Sequence, residues 1–184
     1  MLDKKTLLGL ARLYNLKPWQ QEKHYVQRAI LSTLGEYGLV FKGGTYLWFF
    51  HGLPRFSEDL DFTQTGKIPG NLPMQVSAGL ERFDLPNEVK LVGNNSITLS
   101  FRISAQGPLY STQRNLCFVY VEISRRQKIR EQTLSLELPP NPYLLPPVII
   151  NGMALDEVAA EKVRAIMTRD KARDVYDLAF LIRE

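Results

Sequence analysis

Across 184 residues there is one cysteine, Cys117, and there are two histidines, His24 and His51. A lone thiol rules out an intramolecular disulfide framework and suits a reducing compartment, so the expected location is the cytoplasm. Two histidines in unrelated contexts leave no zinc site of the usual His/Cys kind. No apolar run approaches the roughly 18 residues that a membrane span needs. The N-terminal stretch MLDKKTLLGLARLYN reads as an amphipathic helix without a small-residue cleavage site, so neither a membrane association nor a signal peptide is expected. Repeats and low-complexity tracts are missing as well. What remains is an ordinary globular composition, 45% apolar and 23% charged, in a chain long enough for one substantial core and short for two. The net charge of +4 permits an acidic partner such as RNA or a nucleotide without requiring one.

Periodicity sets out the elements. Leu7, Leu8, Leu10 and Leu13 predict a helix over 3–14, and Pro18 opens a longer one over 19–34. A short strand over 39–42 runs into Gly43 and Gly44, a buried helix over 45–51 follows, and a strand over 58–63 comes next. After a loop over 64–72 and a helix near 73–83, period-2 segments predict strands over 88–92, 97–103 and 116–123. The last is apolar on both faces from Leu116 to Val121, which predicts a central position. A further strand is predicted over 133–138, then a proline-rich connector over 139–147. A helix over 155–169, with Leu155, Val158, Ala159, Val163, Ile166 and Met167 on one side, is followed by another from Ala172 onward. The pattern predicts an α+β fold, a central mixed sheet flanked by helices. It forms one domain over 1–184: N-terminal helices in 1–36, a sheet region in 37–138, and C-terminal helices in 152–184 that pack back on the site.

The chemistry concentrates in FKGGTYLWFFHGLPRFSEDLDF, residues 41–62. On a strand, Asp59 and Asp61 point to one side while Leu60 points to the core. Two carboxylates so placed repel unless a cation lies between them, and oxygen-only ligands favour Mg²⁺ or Mn²⁺. The glycine pair lets backbone N–H groups approach phosphate, with Lys42 beside it. Arg55 and Ser57 have the spacing to hydrogen-bond behind the acids. Together these are the equipment of phosphoryl or nucleotidyl transfer.

Three further residues admit two readings each. Glu122 ends the apolar strand in CFVYVEIS; it either pairs with Arg125, Arg126 or Lys128, or completes the metal site as a third carboxylate that orients or deprotonates a nucleophile. Lys162 is a solvated helix lysine or a charge for the site. Asp174 caps the last helix or belongs to the site, and Arg173 with Asp177 forms an i, i+4 pair.

The blocks FKGGTYLWFFHGLPRFSEDLDF, VYVEIS and EVAAEKVRAIMTRDKARDVYDLAFL resemble the AbiEii/AbiGii toxin family of nucleotidyltransferases, a branch of the DNA polymerase β-like superfamily. The resemblance covers residues 41–181 and implies the polymerase β-like nucleotidyltransferase fold. It implies that Gly43 and Gly44 hold nucleotide phosphates, and that Asp59 and Asp61 bind Mg²⁺ with Glu122 in the third-carboxylate position. It further implies that Lys162 reaches the triphosphate and that Asp174 is the last acid of the site. Gly-Ser is frequent where this chain has Gly-Gly, so Thr45 would supply the missing hydroxyl. The implied activity moves an NMP from an NTP to an acceptor, often the tRNA 3′ end, as the toxin of a pair whose antitoxin is a separate protein. Relatives usually continue with more helices, so the chain is either a compact member or a fragment.

Two rival expectations stand beside this one: transfer to a protein or small-molecule acceptor, and a non-catalytic nucleotide-binding module. A basic stripe with exposed aromatics favours RNA, whereas an acidic enclosed pocket favours a cationic small molecule.

Overall fold

The computed structural model describes residues 2–35, 37–126, 128–136 and 142–183. Asp3 accepts the Thr6 N–H at 2.9 Å and so caps α1 (Lys4–Leu13). Pro18 occupies the first turn of α2 (Pro18–Leu34), where its missing N–H costs nothing. The chain continues through β1 (Leu39–Lys42), α3 (Gly43–His51), β2 (Leu60–Gln64), α4 (Leu72–Glu81), β3 (Asn87–Asn94), β4 (Thr98–Ala105) and β5 (Cys117–Ser124). It ends with β6 (Gln132–Leu136), β7 (Ile149–Met153), α5 (Leu155–Thr168) and α6 (Ala172–Leu181).

The strands form one mixed sheet in the order β3-β4-β5-β2-β1-β7-β6. β2 lies parallel to β5, and β1 parallel to β7; the other neighbours are antiparallel. One face is the core. Phe41, Leu60, Phe62, Phe101, Ile103, Val119, Val121 and Ile123 are fully buried there, with Val26, Ala29 and Ile30 of α2 in the same cluster. The Phe41 and Phe62 rings stack with centroids 4.8 Å apart. Each such side chain contributes about 1.5–3 kcal/mol by leaving water, which fixes the register of the strands that carry the chemistry.

Polar residues of α2 are buried too, and they tie down the chain around the site. Gln27 donates to the carbonyls of Ser57 and Glu58, at 3.1 and 2.8 Å, just before β2. Arg28 donates to the Pro146 carbonyl, and Gln21 and His24 both meet the Tyr143 hydroxyl, so the proline-rich connector is fastened to α2.

The α+β fold is as the sequence predicts, with four differences. β7 is unpredicted; its Asn151-Gly152 pair reads as a turn, yet it inserts as a parallel neighbour of β1. β5 is central, as predicted, but only one face is covered: Phe118 and Tyr120 retain 38% and 44% of their exposure. β2 begins at Leu60, so Asp59 precedes the first ladder residue. On α5 and α6 the expected apolar side is partly exposed, Met167 at 82%, while the buried residues include the polar Lys162, Asp174 and Asp177. Residues 137–138 of the fourth predicted strand, and 139–141 of the connector, lie outside the described residues.

Candidate active site

Lys42, Asp61 and Glu122 share one rung of the sheet. Lys42 is the antiparallel partner of Asp61 on β1 and β2, and Asp61 is the parallel partner of Glu122 on β5. Adjacent strands lie about 4.8 Å apart, so three charged side chains stand in a row on the face away from the core. That row floors a cleft of about 380 Å³, whose walls include Gly43, Glu161, Lys162, Arg164 and Arg169. A larger hollow of about 510 Å³ lies near the start of β5, around Asp84, Pro86 and Gln106, remote from this rung.

Asp59 is set by its backbone. The Thr45 hydroxyl donates to the Asp59 carbonyl at 2.5 Å and meets the Ser57 hydroxyl at 2.8 Å. Thr45 is fully buried, so in this conformation it positions Asp59 from behind and offers no hydroxyl to the cleft.

The acids are under electrostatic stress. Burial first, then the neighbouring Asp59 and Glu122 carboxylates, push Asp61 up to about 6, against the pull of Lys42 and Lys162. Burial also raises Asp59, with Lys23 and Arg173 opposing and Glu58 adding to the rise. Glu122 is exposed rather than buried, and Arg125 binds Asn94 and Asn95 instead of it. Anionic oxygens that the nearby lysines do not balance are the donor set a hard divalent cation takes. Among the described residues no three acidic, histidine or cysteine side chains form a ready metal cage. The pair Asp59 and Asp61 still fits Mg²⁺, which is usually held by one or two carboxylates plus water and substrate phosphate.

The glycine turn has a steric cause at each position. Gly43 has φ +78°, and a Cβ there would lie 2.6 Å from Asp61 Oδ2. A Cβ on Gly44 would run into the Arg55 guanidinium. Lys42 is the N-cap of α3 and gives no side-chain cap bond, so the first N–H groups of the helix lack an intrahelical partner beside the cleft.

A chain of ion pairs builds the opposite wall. Lys162 Nζ lies 3.2 Å from Asp174 Oδ1 and 2.8 Å from Asp177 Oδ2. Arg55 grips Asp177 with two bonds of 2.6 Å, and Arg169 grips Asp174 at 2.8 and 3.0 Å. Burial alone would raise Asp174, but hydrogen bonds from Arg169 and Lys162 hold it below the usual carboxylate range. Lys42 pairs with Glu161 at 2.8 Å. Thus Lys42, Gly43, Asp61, Glu122 and Lys162 meet at the cleft, whereas Gly44, Thr45, Ser57 and Asp174 support it from behind. Asp174 is not the cap of α6; Lys171 holds that position. Sequence reasoning placed Asp177 only as a helix-supporting partner of Arg173 and gave Glu161 no place at the site. The signal for Asp177 was its i+3 spacing from Asp174, which aims both acids at one lysine; its partner is Arg55 rather than Arg173.

The family described as "Nucleotidyl transferase AbiEii toxin, Type IV TA system" matches residues 27–184. The chain belongs to the AbiEii family. Among solved structures it is similar to JHP933 from Helicobacter pylori, with TM-score 0.70 and 24% identity over 90% of this chain and 66% of that one. It is also similar to MenT4, a nucleotidyltransferase toxin from Mycobacterium tuberculosis, with TM-score 0.72 and 20% identity over 100% of this chain and 65% of that one. At these identities the likeness establishes the nucleotidyltransferase fold. This AbiEii chain spans about two thirds of the length of either structure. A search of curated proteins finds no match. No helix among the described residues is long and apolar enough to cross a membrane.

Proposed function

We propose that this AbiEii-family chain is a toxin that transfers a nucleoside monophosphate from an NTP to an acceptor hydroxyl, with the 3′ end of tRNA as acceptor. The carrying observation is the rung Lys42–Asp61–Glu122 beneath the glycine turn, where unbalanced carboxylates face the N-terminus of α3. Asp59 and Asp61 would hold Mg²⁺ or Mn²⁺, with Glu122 as the third carboxylate. The ion supplies neutralisation of the triphosphate and of charge developing at phosphorus.

The protein's own groups account for the rest. First-turn N–H groups of α3 receive phosphate oxygens, and the left-handed turn at Gly43 lets phosphate come within reach of the Asp61 carboxylate. Lys162, Arg164 and Arg169 on the α5 wall offer positive charge to the leaving pyrophosphate. Glu122, exposed on the floor, orients the acceptor hydroxyl and takes its proton as oxygen attacks the α-phosphorus. The bond from that phosphorus to the β-bridging oxygen breaks, and pyrophosphate departs. The family's toxin–antitoxin description supports a separate antitoxin protein as partner, and a reducing cytoplasm as the place of action suits the single buried thiol.

The test is incorporation of labelled NTP into bulk tRNA with Mg²⁺. Incorporation by the wild type, lost in Asp59→Ala and Asp61→Ala, is the expected result. Equal incorporation by the variants would sink the site assignment. Label found in protein or a small molecule would transfer the reading to that acceptor, and NTP binding without turnover would leave a nucleotide-binding module.

A further inference from the structure

The face of the sheet that bears Asp61 and Glu122 continues along β5 toward the start of that strand, and there it carries two exposed rings. Tyr120 stands two residues before Glu122 on β5 and Phe118 four residues before it, so strand alternation puts all three on one side. At about 3.3 Å per residue, successive rows lie roughly 7 Å apart, which makes a track of aromatic rows leading away from the carboxylates. Arg102 is the β4 partner of Tyr120, and exposed Lys90 is the β3 partner of Arg102. The Arg102 guanidinium lies over the Phe118 ring, 4.8 Å from its centroid. Glu88, in the Phe118 row, marks the acidic far edge.

Aromatic rings exposed on the open face of a sheet, flanked by two cations, match an anionic polymer with flat faces. Unpaired nucleotides have that chemistry: bases stack on rings while phosphates meet Lys and Arg. A duplex keeps its bases stacked on each other and does not offer them. Ser100, partner of Glu122 on β4, adds a hydroxyl in the row next to the reacting end, suited to a ribose 2′-OH. We propose that Phe118 and Tyr120, with Arg102 and Lys90, form a stacking track for the unpaired 3′ nucleotides of an RNA acceptor, delivering the terminal hydroxyl to the Asp61–Glu122 rung. The direction of the strand rests on the transfer reading above; the binding itself does not.

The experiment is fluorescence anisotropy with three labelled hairpins: RNA with a short unpaired 3′ tail, the same RNA blunt-ended, and the tailed hairpin as DNA. Wild type binds the tailed RNA about 10-fold or more tighter than either of the others. Tyr120→Ala and Phe118→Ala each weaken the tailed RNA by about 5- to 100-fold. Tyr120→Trp keeps the affinity, and Arg102→Gln flattens its salt dependence. Calorimetric NTP binding stays unchanged in all four variants, which also shows that they are folded. Equal affinity for tailed and blunt RNA, equal affinity for the DNA tail, or indifference to both alanine changes overturns the proposal. Should wild type incorporate no nucleotide while the tail preference and its loss persist, the transfer reading fails and the track stands. Incorporation with tail-independent binding fails the track alone.

Discussion

Arg55 holds Asp177 through two hydrogen bonds of 2.6 Å, joining positions 122 residues apart in the sequence. Asp177 is fully buried and also carries Lys162, so one carboxylate connects the segment before β2 to the wall of the cleft. Breaking a buried pair leaves its partner's charge unmatched, at about 3–5 kcal/mol. Asp177→Ala is expected to lower the unfolding free energy extrapolated from urea by an amount of that order, with an earlier midpoint. Arg55→Lys loses the bidentate fork and falls between wild type and Asp177→Ala. Chemical denaturation of the three proteins decides the matter; an unshifted Asp177→Ala would refute the wall's dependence on this carboxylate.

Asp61 costs the folded protein stability at neutral pH. Its carboxyl is raised from the ordinary 3.8 to about 6, so the folded state prefers the proton and its stability falls as pH rises from about 4 to about 6. Asp61→Asn removes that penalty. In chelator-treated buffer at pH 8 the variant should be more stable than wild type by about 1 kcal/mol or more, roughly 2–4 °C, while nucleotide transfer is lost. Thermal melts across the pH range give the comparison, and a less stable Asp61→Asn at pH 8 contradicts it.

His24 produces the opposite slope. Burial, then the charge of Arg28, pushes its pKa down from 6.5 to about 3. The imidazole stacks on Phe49 at 4.4 Å and lies 2.6 Å from the Tyr143 hydroxyl. The unfolded chain takes up a proton near 6.5 that the folded chain refuses. Stability is therefore complete above that pH and declines by about 1.4 kcal/mol per unit as pH falls toward 3. His24→Phe should flatten this part of the stability profile, and a profile that matches wild type between pH 6.5 and 5 would contradict the neutral burial.

Gly43→Ala tests the turn. The left-handed φ and the 2.6 Å approach to Asp61 act together, so the methyl group must strain the backbone and displace the carboxylate. A stability loss of about 1–3 kcal/mol with a much larger fall in transfer is expected. The same change at Gly70, which has open space around it, should do neither. Activity retained in Gly43→Ala would remove the glycine from the site.

Much of this was legible in the sequence because it is local. The placement of Asp61 on a strand with Leu60 turned to the core, the apolar run up to Glu122, and the glycines at a strand-to-helix turn all follow from local pattern, whereas Asp59 falls just before the strand predicted to carry it. What escaped depends on distant partners. Asn151-Gly152 looks like a turn until β1 lies beside it. Helical period finds an apolar side on α5, but the buried acids Asp174 and Asp177 of α6 decide that Lys162 faces inward. In VYVEIS the alternation is hidden, since the buried Val119 and Val121 and the open Tyr120 are all apolar or aromatic.

The parallel insertion of β7 has a consequence for a chain still being made. Until residues 149–153 arrive, β1 is not interior but an unpaired edge, with its backbone N–H and C=O groups open to any extended neighbour. At about 5–20 residues per second this interval lasts on the order of ten seconds. Chaperone protection should matter most within it. The strand that closes the edge leads directly into α5, so β1 loses its stickiness just before Lys162 arrives.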